Sequence, residues 1–411
     1  MSVNEPAAER LPIVEFIVLI AMLFAMTAFS IDAMLPALPS IAAELSPDDP
    51  NRAQIIITAF VFGMGLGTFV TGPLSDRFGR RPVIIGGAVL YAVGALLAWV
   101  APTLELIIAA RAVQGLAVAG PRIAAVALVR DLYAGRAMAR IISIMMMVFV
   151  LVPAVAPLAG SQIMAAFGWR SIFLAFILFA ALVNVWFAVR QRETLAMKAR
   201  QPFQARPLLR RSGEVLSHPV VARVTAVTTL AFGMLFATLS SIQPIFDQVY
   251  GRAESFPLWF AVIALVAGTG NILNARLVVR LGMRRMIKSV LVSQICISAG
   301  TVLLYWAGLM SGEGGFPIFL FWTISVFFGA SLTLGNLNAI ALEPMGHIAG
   351  TATSVVTAVA TVLSAAIAIP IGLAFDGTPL PLVAGVLAAA LLAMLVMLSL
   401  PAGEEKEAAS R

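Results

Sequence analysis

Gly72-Pro-Leu-Ser-Asp-Arg-Phe-Gly-Arg-Arg81 is a short, charged, glycine-bounded stretch between two long apolar runs, roughly residues 55–71 and 83–100. As helix, at about 1.5 Å per residue, each run is long enough to cross about 30 Å of hydrocarbon. The ten residues therefore read as a turn pinned at a membrane surface. Gly63, Gly65, Gly67 and Gly72 lead into it, and small residues let helices approach closely where no hydrophobic push drives them together. Asp76 can accept hydrogen bonds from the free N–H groups of a neighbouring helix start. Arg77, Arg80 and Arg81, grouped around Gly79, favour the cytoplasmic side.

Composition supports the membrane reading. Of 411 residues, 61% are hydrophobic and 11% charged, with a mean hydropathy of +0.99. No soluble core absorbs that much apolar surface under so few charges. The formal charge of +7 would suit nucleic acid, but the basic residues sit in short clusters between apolar runs, where they act as topology signals. No nucleic-acid partner is expected. Cys296 stands alone, and His218 and His347 have no ligand cluster beside them, so neither a disulfide framework nor a metal site is expected. The first twelve residues carry no clear cleavage signal, which points to a retained first helix.

Twelve spans can be drawn, at 13–38, 52–73, 82–101, 104–128, 138–165, 169–190, 219–247, 256–279, 285–309, 315–341, 348–374 and 378–400. The fold class is thus an all-α polytopic membrane protein, and the even count puts both termini on one side. With that side cytoplasmic, the loops around 76–81, 130–140, 190–211 and 276–288 hold 18 Lys or Arg. The external connections hold three, Arg52, Arg170 and Arg252. That asymmetry decides the orientation.

The longest polar connection falls near the middle. It divides the chain into a six-helix bundle at 1–190, a cytoplasmic linker at 191–218, a second bundle at 219–400 and a cytoplasmic tail at 401–411. An internal repeat supports the division. Gly65 and Gly67 recur as Gly268 and Gly270, Arg77-Phe-Gly79 as Arg280-Leu-Gly282, and Arg81 as Arg284, all at an offset of 203 residues. A parallel duplication of six spans accounts for this, and transporters built that way bind substrate where the repeats meet.

Charges at membrane depth need a partner or water. Asp32 lies near the outer third of the first span and Arg111 at a similar depth in the fourth. A carboxylate whose protonation follows the distance of a cation and the access of water is a proton-coupling device. A permanent structural ion pair is the alternative. Gln114 shares a face with Arg111, three residues on. Arg122, about three turns deeper, has two readings, a snorkelling contact with lipid phosphate or a place in an inner cavity. Glu15, near the inner end of the first span, is either a hydrated interfacial acid or a second proton site. Pro153 and Pro157, followed by Gly160, interrupt the fifth span and give it either a hinge or a static kink. The second half has no acid securely at mid-membrane. Gln243, Asn271, Asn274, Asn336, Asn338 and Trp322 are its candidates for a mostly apolar substrate cavity, with packing as the alternative for the aromatic residues.

Taken together, these stretches resemble the major facilitator superfamily. Gly72 to Arg81 is similar to its loop motif, Arg111-Ala-Val-Gln-Gly115 to its fourth-helix arginine motif, and Pro153 to Gly160 to its fifth-helix antiporter motif, with Ala156 in place of the usual glycine. Asp32 with Leu35-Pro-Ala-Leu-Pro39, Val129-Arg-Asp-Leu-Tyr133, Trp169-Arg-Ser-Ile-Phe173 and Glu343-Pro-Met-Gly-His347 narrow the likeness to drug:proton antiporters of the bicyclomycin and chloramphenicol resistance type. The resemblance implies two pseudo-symmetric bundles and proton-driven export of small molecules across a bacterial inner membrane, by a monomer without cofactor. In the second-half repeat Val279 stands where the aspartate would be. A transporter of one metabolite and a non-transporting receptor or scaffold remain as alternatives. An enzyme is not expected. Neither is an ATP-driven pump, because no Gly-x-x-x-x-Gly-Lys-Ser/Thr loop occurs.

The basic asymmetry predicts that reporters fused at Arg77, Tyr133, Ala205 and Arg284 report from the cytoplasm, and those at Asp48 and Asp376 from outside. An externally active fusion at Ala205, in a normally inserted protein, would refute the twelve-span map.

Overall fold

The structure, a computed structural model, describes residues 11–400. The expected cytoplasmic tail at 401–411 and the first ten residues lie outside the described residues. The helices are α1 (Ile13–Asp32), α2 (Leu38–Leu45), α3 (Ile55–Phe78), α4 (Arg80–Val100), α5 (Leu104–Leu132), α6 (Gly135–Phe167), α7 (Ser171–Arg190), α8 (Ala205–Ser217), α9 (Pro219–Pro244), α10 (Phe256–Leu281), α11 (Met283–Trp306), α12 (Gly312–Leu342), α13 (Ala349–Leu373) and α14 (Leu380–Leu398). Helix is what such a sequence must form in hydrocarbon, where every backbone N–H and C=O has to be satisfied within its own segment.

Eleven apolar stretches among the described residues are long enough to cross a membrane. One of them, Gly312–Leu373, has 62 residues, about 93 Å of helix against about 30 Å of hydrocarbon, and so is two crossings. A 3-10 segment, Glu343–Ile348, joins α12 to α13 there, with Met345 out of helical geometry. The crossings therefore number twelve. Their outer faces suit lipid: on α7, Leu178, Leu182, Val185 and Val189 are exposed while Phe173, Phe176, Ala180, Val183 and Phe187 are buried.

Two compact units are present. One takes the chain through Gln204 together with Ile242–Leu265, and the other takes Ala205–Ser241 and everything from Val266 onward. In the first, α5 packs against α3 and α4, and α1 packs against α6. In the second, α11 packs against α12 and α14, and α8 lies on α13.

The expected ten-residue turn proves to be almost entirely helical. Helix α3 runs on to Phe78 and α4 begins at Arg80, so Gly79 alone separates them. Gly79 holds φ of 103°, a conformation that a side chain strongly disfavours, and this confines the reversal to one residue. Gly282 is the only residue between α10 and α11 and has φ of 77°. The 203-residue repeat thus carries the same one-residue break in both halves. The polar connection after α7 is also more ordered than a bare linker, since α8 occupies its second half. There Ser212 and Val215 are buried, Arg210 and Arg211 are exposed, and Glu214 meets His347 at 3.3 Å.

Candidate functional site

The first unit is built around a sealed guanidinium. Arg111, in the second turn of α5, is fully buried. Its Nη2 donates to the carbonyl of Ser30 on α1 at 2.8 Å and its Nη1 to Gln114 Oε1 at 2.6 Å, so the expected shared face of Arg111 and Gln114 is a direct hydrogen bond. The Phe60 ring lies 4.3 Å from the guanidinium carbon and the Phe176 ring 5.8 Å, which places the cation between two π faces. Ser30 Oγ donates to Met26 O at 2.7 Å and is hydrogen-bonded to the Tyr91 hydroxyl on α4.

Asp32, the last residue of α1, is 4% exposed. It makes no ion pair or side-chain hydrogen bond with any described residue. The direct Asp32–Arg111 pairing that their depths suggested is absent here: Nη1 and Nη2 turn to Gln114 Oε1 and Ser30 O, and Nε is buried without a partner. The two groups are linked instead through the α1 backbone, since the carbonyl held by Arg111 lies two residues before Asp32. Pro36 and Pro39 do not end the crossing. After Asp32 the chain turns through a 3-10 segment at Leu35–Ala37 and continues as α2, which places the acid at a break inside a 33-residue span. Pro153 and Pro157 lie within α6, and Gly160 follows them. A Cβ on Gly160 would strike the carbonyl of Ala33, so the glycine is what lets α6 touch the residue next to Asp32.

Where α3 gives way to α4, Asp76 meets Arg80 at 2.6 Å, and Arg80 also reaches Asp131 at 3.0 Å and Ser75 Oγ at 3.0 Å. Asp76 therefore serves a side chain and not a helix start. Glu193, just beyond α7, has the helix-start role: its two carboxylate oxygens accept the backbone N–H groups of Arg80 and Arg81, each at 3.0 Å. The free N–H groups at the start of α4 are an anion site, and the connection after α7 supplies the anion. Gln201 N–H donates to Asp76 O at 3.1 Å, and Arg81 donates to Ala188 O at 2.7 Å. Arg77 lies over the Phe78 ring, and Gly72 falls inside α3. The sequence reading missed Glu193. Its signal was there, as the one acid between Arg190 and Glu214 in an otherwise basic connection.

The remaining candidates separate. Glu15 is held by Arg190 at 2.7 and 2.8 Å and by Trp186 at 3.2 Å. Arg122 reaches Thr68 Oγ1 at 3.0 Å. In the second unit, Asn336 donates to Asn274 Oδ1 at 2.8 Å, Asn338 Oδ1 has no partner, and Asn271 is exposed. Trp322 is fully buried, stacked on Phe319, and donates to Ser298 at 3.0 Å, as a packing residue does. Gln243 falls in the segment grouped with the first unit, and its Oε1 is buried without a partner. A small cavity of about 20 Å³ within the second unit is lined by other residues, among them Val227, Met234, Leu291, Gln294, Val326 and Thr333.

Residues 18–369 match the sequence profile of the Major Facilitator Superfamily. Among curated proteins the chain is 30% identical to a bicyclomycin resistance protein homolog of Haemophilus influenzae, over 84% of this chain and 85% of that one. It is 26% identical to the multidrug resistance protein MdtL of Escherichia coli, over 79% and 80%. Among solved structures it overlays a D-xylose-proton symporter with a TM-score of 0.76 at 13% identity, covering 96% of this chain and 99% of that one. A peptide transporter, POT, overlays with 0.71 at 13% identity, covering 93% and 92%.

If Glu193 holds the connection onto α4, Glu193→Ala frees two helix-start N–H groups and costs about 1.5 kcal/mol locally, roughly tenfold in the opening equilibrium. Limited trypsinolysis in detergent should then cleave after Arg192, Lys198 or Arg200 about ten times faster than in wild type. An unchanged cleavage rate would mean that the contact does not secure the connection.

Proposed function

The chain belongs to the Major Facilitator Superfamily, and from that premise we propose that it is a proton-coupled antiporter that exports small, amphipathic or drug-like compounds by alternating access. The reading places it in the drug:proton branch of the bicyclomycin and chloramphenicol resistance type. The curated relatives that bear resistance names support this, at 26% and 30% identity over most of both chains. It is a transporter and not an enzyme, working as a monomer in a bacterial inner membrane, with both termini cytoplasmic and with protons, lipid and a small molecule as its partners. The bundles at 1–190 and 219–400 are the proposed alternating halves.

The observation that carries the antiport reading is Asp32, buried at a helix break and unpaired. Wetting alone can switch the charge of a carboxylate: kept dry and unpaired it holds a proton, and hydrated or beside a cation it releases one. Asp32 is the proposed proton carrier. Arg111, fixed to the same turn of α1, is proposed to set its proton affinity at close range without ever being its salt-bridge partner.

Asp32→Asn tests this, because the amide has the shape of the protonated acid and cannot cycle. The variant should bind substrate and support downhill exchange, yet show no transport driven by a pH gradient and no substrate-induced proton release in detergent. Undiminished proton release would move the proton site elsewhere.

A further inference from the structure

Eleven residues beyond Arg111, α5 carries a second arginine in quite different surroundings. Arg111 is closed off by a carbonyl, an amide and two aromatic rings. Arg122 is half-buried, and its hydrogen bond runs from Nη2 to Thr68 Oγ1 at 3.0 Å. That hydroxyl gives its own proton to Met64 O at 2.8 Å, so it meets the guanidinium as a neutral acceptor. No described carboxylate pairs with Arg122.

Depth together with the direction of the side chain argues against an ordinary snorkelling arginine. The 29 residues of α5 make about 43 Å of helix against about 30 Å of hydrocarbon, an overhang of about 13 Å. Arg122 precedes the cytoplasmic end of α5, Leu132, by about 15 Å of helix. Its Cα lies within the hydrocarbon layer even if the whole overhang is on that side. Thr68 stands equally far from the end of α3, a helix that runs in the same direction, so the guanidinium is held level with its backbone and not drawn toward the headgroups.

The charges of the first unit also fail to balance. Glu15 is taken by Arg190, and Asp76 and Asp131 by Arg80. That leaves Arg111 and Arg122 with Asp32 alone as deep charges, and of the two cations Arg111 is sealed from any ligand while Arg122 is only half-buried. A guanidinium has five N–H donors in a flat fork that can meet two oxygens of one oxyanion at once. We propose that Arg122 is a recognition residue for an oxyanion, a carboxylate or sulfonate on the transported molecule, and that the substrate class is therefore anionic or zwitterionic amphiphiles. The proposal rests on the transporter reading and not on proton coupling. The phosphate of an anionic lipid offers the same chemistry, and the depth argument disfavours it.

The test uses the full chain in nanodiscs at constant pH, with fluorescein as an anionic probe and rhodamine 123 as a cationic probe on a similar xanthene frame, both followed by fluorescence anisotropy. Wild type should bind fluorescein saturably and more tightly than rhodamine 123. Arg122→Gln should weaken fluorescein about tenfold to hundredfold, the range of one lost charged hydrogen bond, without weakening rhodamine 123. Arg122→Lys, which keeps the charge and loses the fork, should bind fluorescein more weakly than wild type and more tightly than Arg122→Gln, and gives a readout if the glutamine variant fails to fold. The proposal is overturned if wild type binds neither probe or prefers the cation, or if Arg122→Gln affects both probes alike. It is also overturned if the arginine matters only for thermal stabilisation by phosphatidylglycerol over phosphatidylcholine discs, which would make the ligand a lipid. No pH gradient enters the measurement, so a failure of the Asp32 proton-release experiment leaves this result standing, and the reverse holds.

Discussion

A guanidinium sealed inside a membrane protein without a carboxylate partner constrains everything around it. Even at mid-membrane, deeper than Arg111 lies, an arginine costs about 2.5–3.5 kcal/mol on an insertion scale. Hydrogen bonds to a charged group return about 1.5–3 kcal/mol each, and an aromatic face about 0.5–2 kcal/mol. Arg111 has two such bonds and two such faces, which offset its burial without an acid although its Nε–H is left unpartnered. The groups that do this come from α1, α3, α5 and α7, and Tyr91 of α4 is tied to the same turn through Ser30. Moving any one of these helices past α5 would strip the cation of a partner. The first unit is thereby held in register by a polar centre, in a solvent where apolar contact alone gives little register.

The break between α3 and α4 is secured by different chemistry. Gly79 confines the reversal between α3 and α4 to a single residue, which brings the bare start of α4 to the surface beside Arg80 and Arg81. Glu193 covers those N–H groups, while Asp76 and Asp131 compensate Arg80. The connection after α7 is thus part of the first unit's structure and not a tether laid over it. At Gly282 the backbone repeats the break, but the acid does not recur, because Val279 stands there and is exposed. The two breaks share a geometry and differ in charge.

The features legible in the sequence were those that a membrane imposes locally. Length and hydropathy gave the twelve crossings, because these follow from single segments in a uniform solvent. Local spacing also brought Arg111 to Gln114. Partners across helices were hidden. Depth alone put Asp32 level with Arg111, yet rotation about each helix axis decides what the side chains touch, and the arginine turned to a carbonyl and an amide. Glu193 escaped for a related reason, since its ligands are backbone N–H groups that carry no sequence signature. Trp322 read as cavity lining because an aromatic residue in a span looks the same in a wall and in a core, and only its bond to Ser298 tells the two apart.

What distinguishes Asp32 is how much converges on the four residues Ser30 to Ala33. The carbonyl of Ser30 is held by Arg111, the helix ends at Asp32, and the carbonyl of Ala33 sits against Gly160 of α6, beyond the two prolines. An acid in the middle of an intact helix could change charge and alter little but its own solvation, since the ladder on either side would hold the backbone. Here the ladder stops at the acid. The backbone on one side is bound to a fixed cation and on the other touches a helix whose own ladder is weakened by Pro153 and Pro157. Asp32 therefore stands at a joint between three helices, α1, α5 and α6.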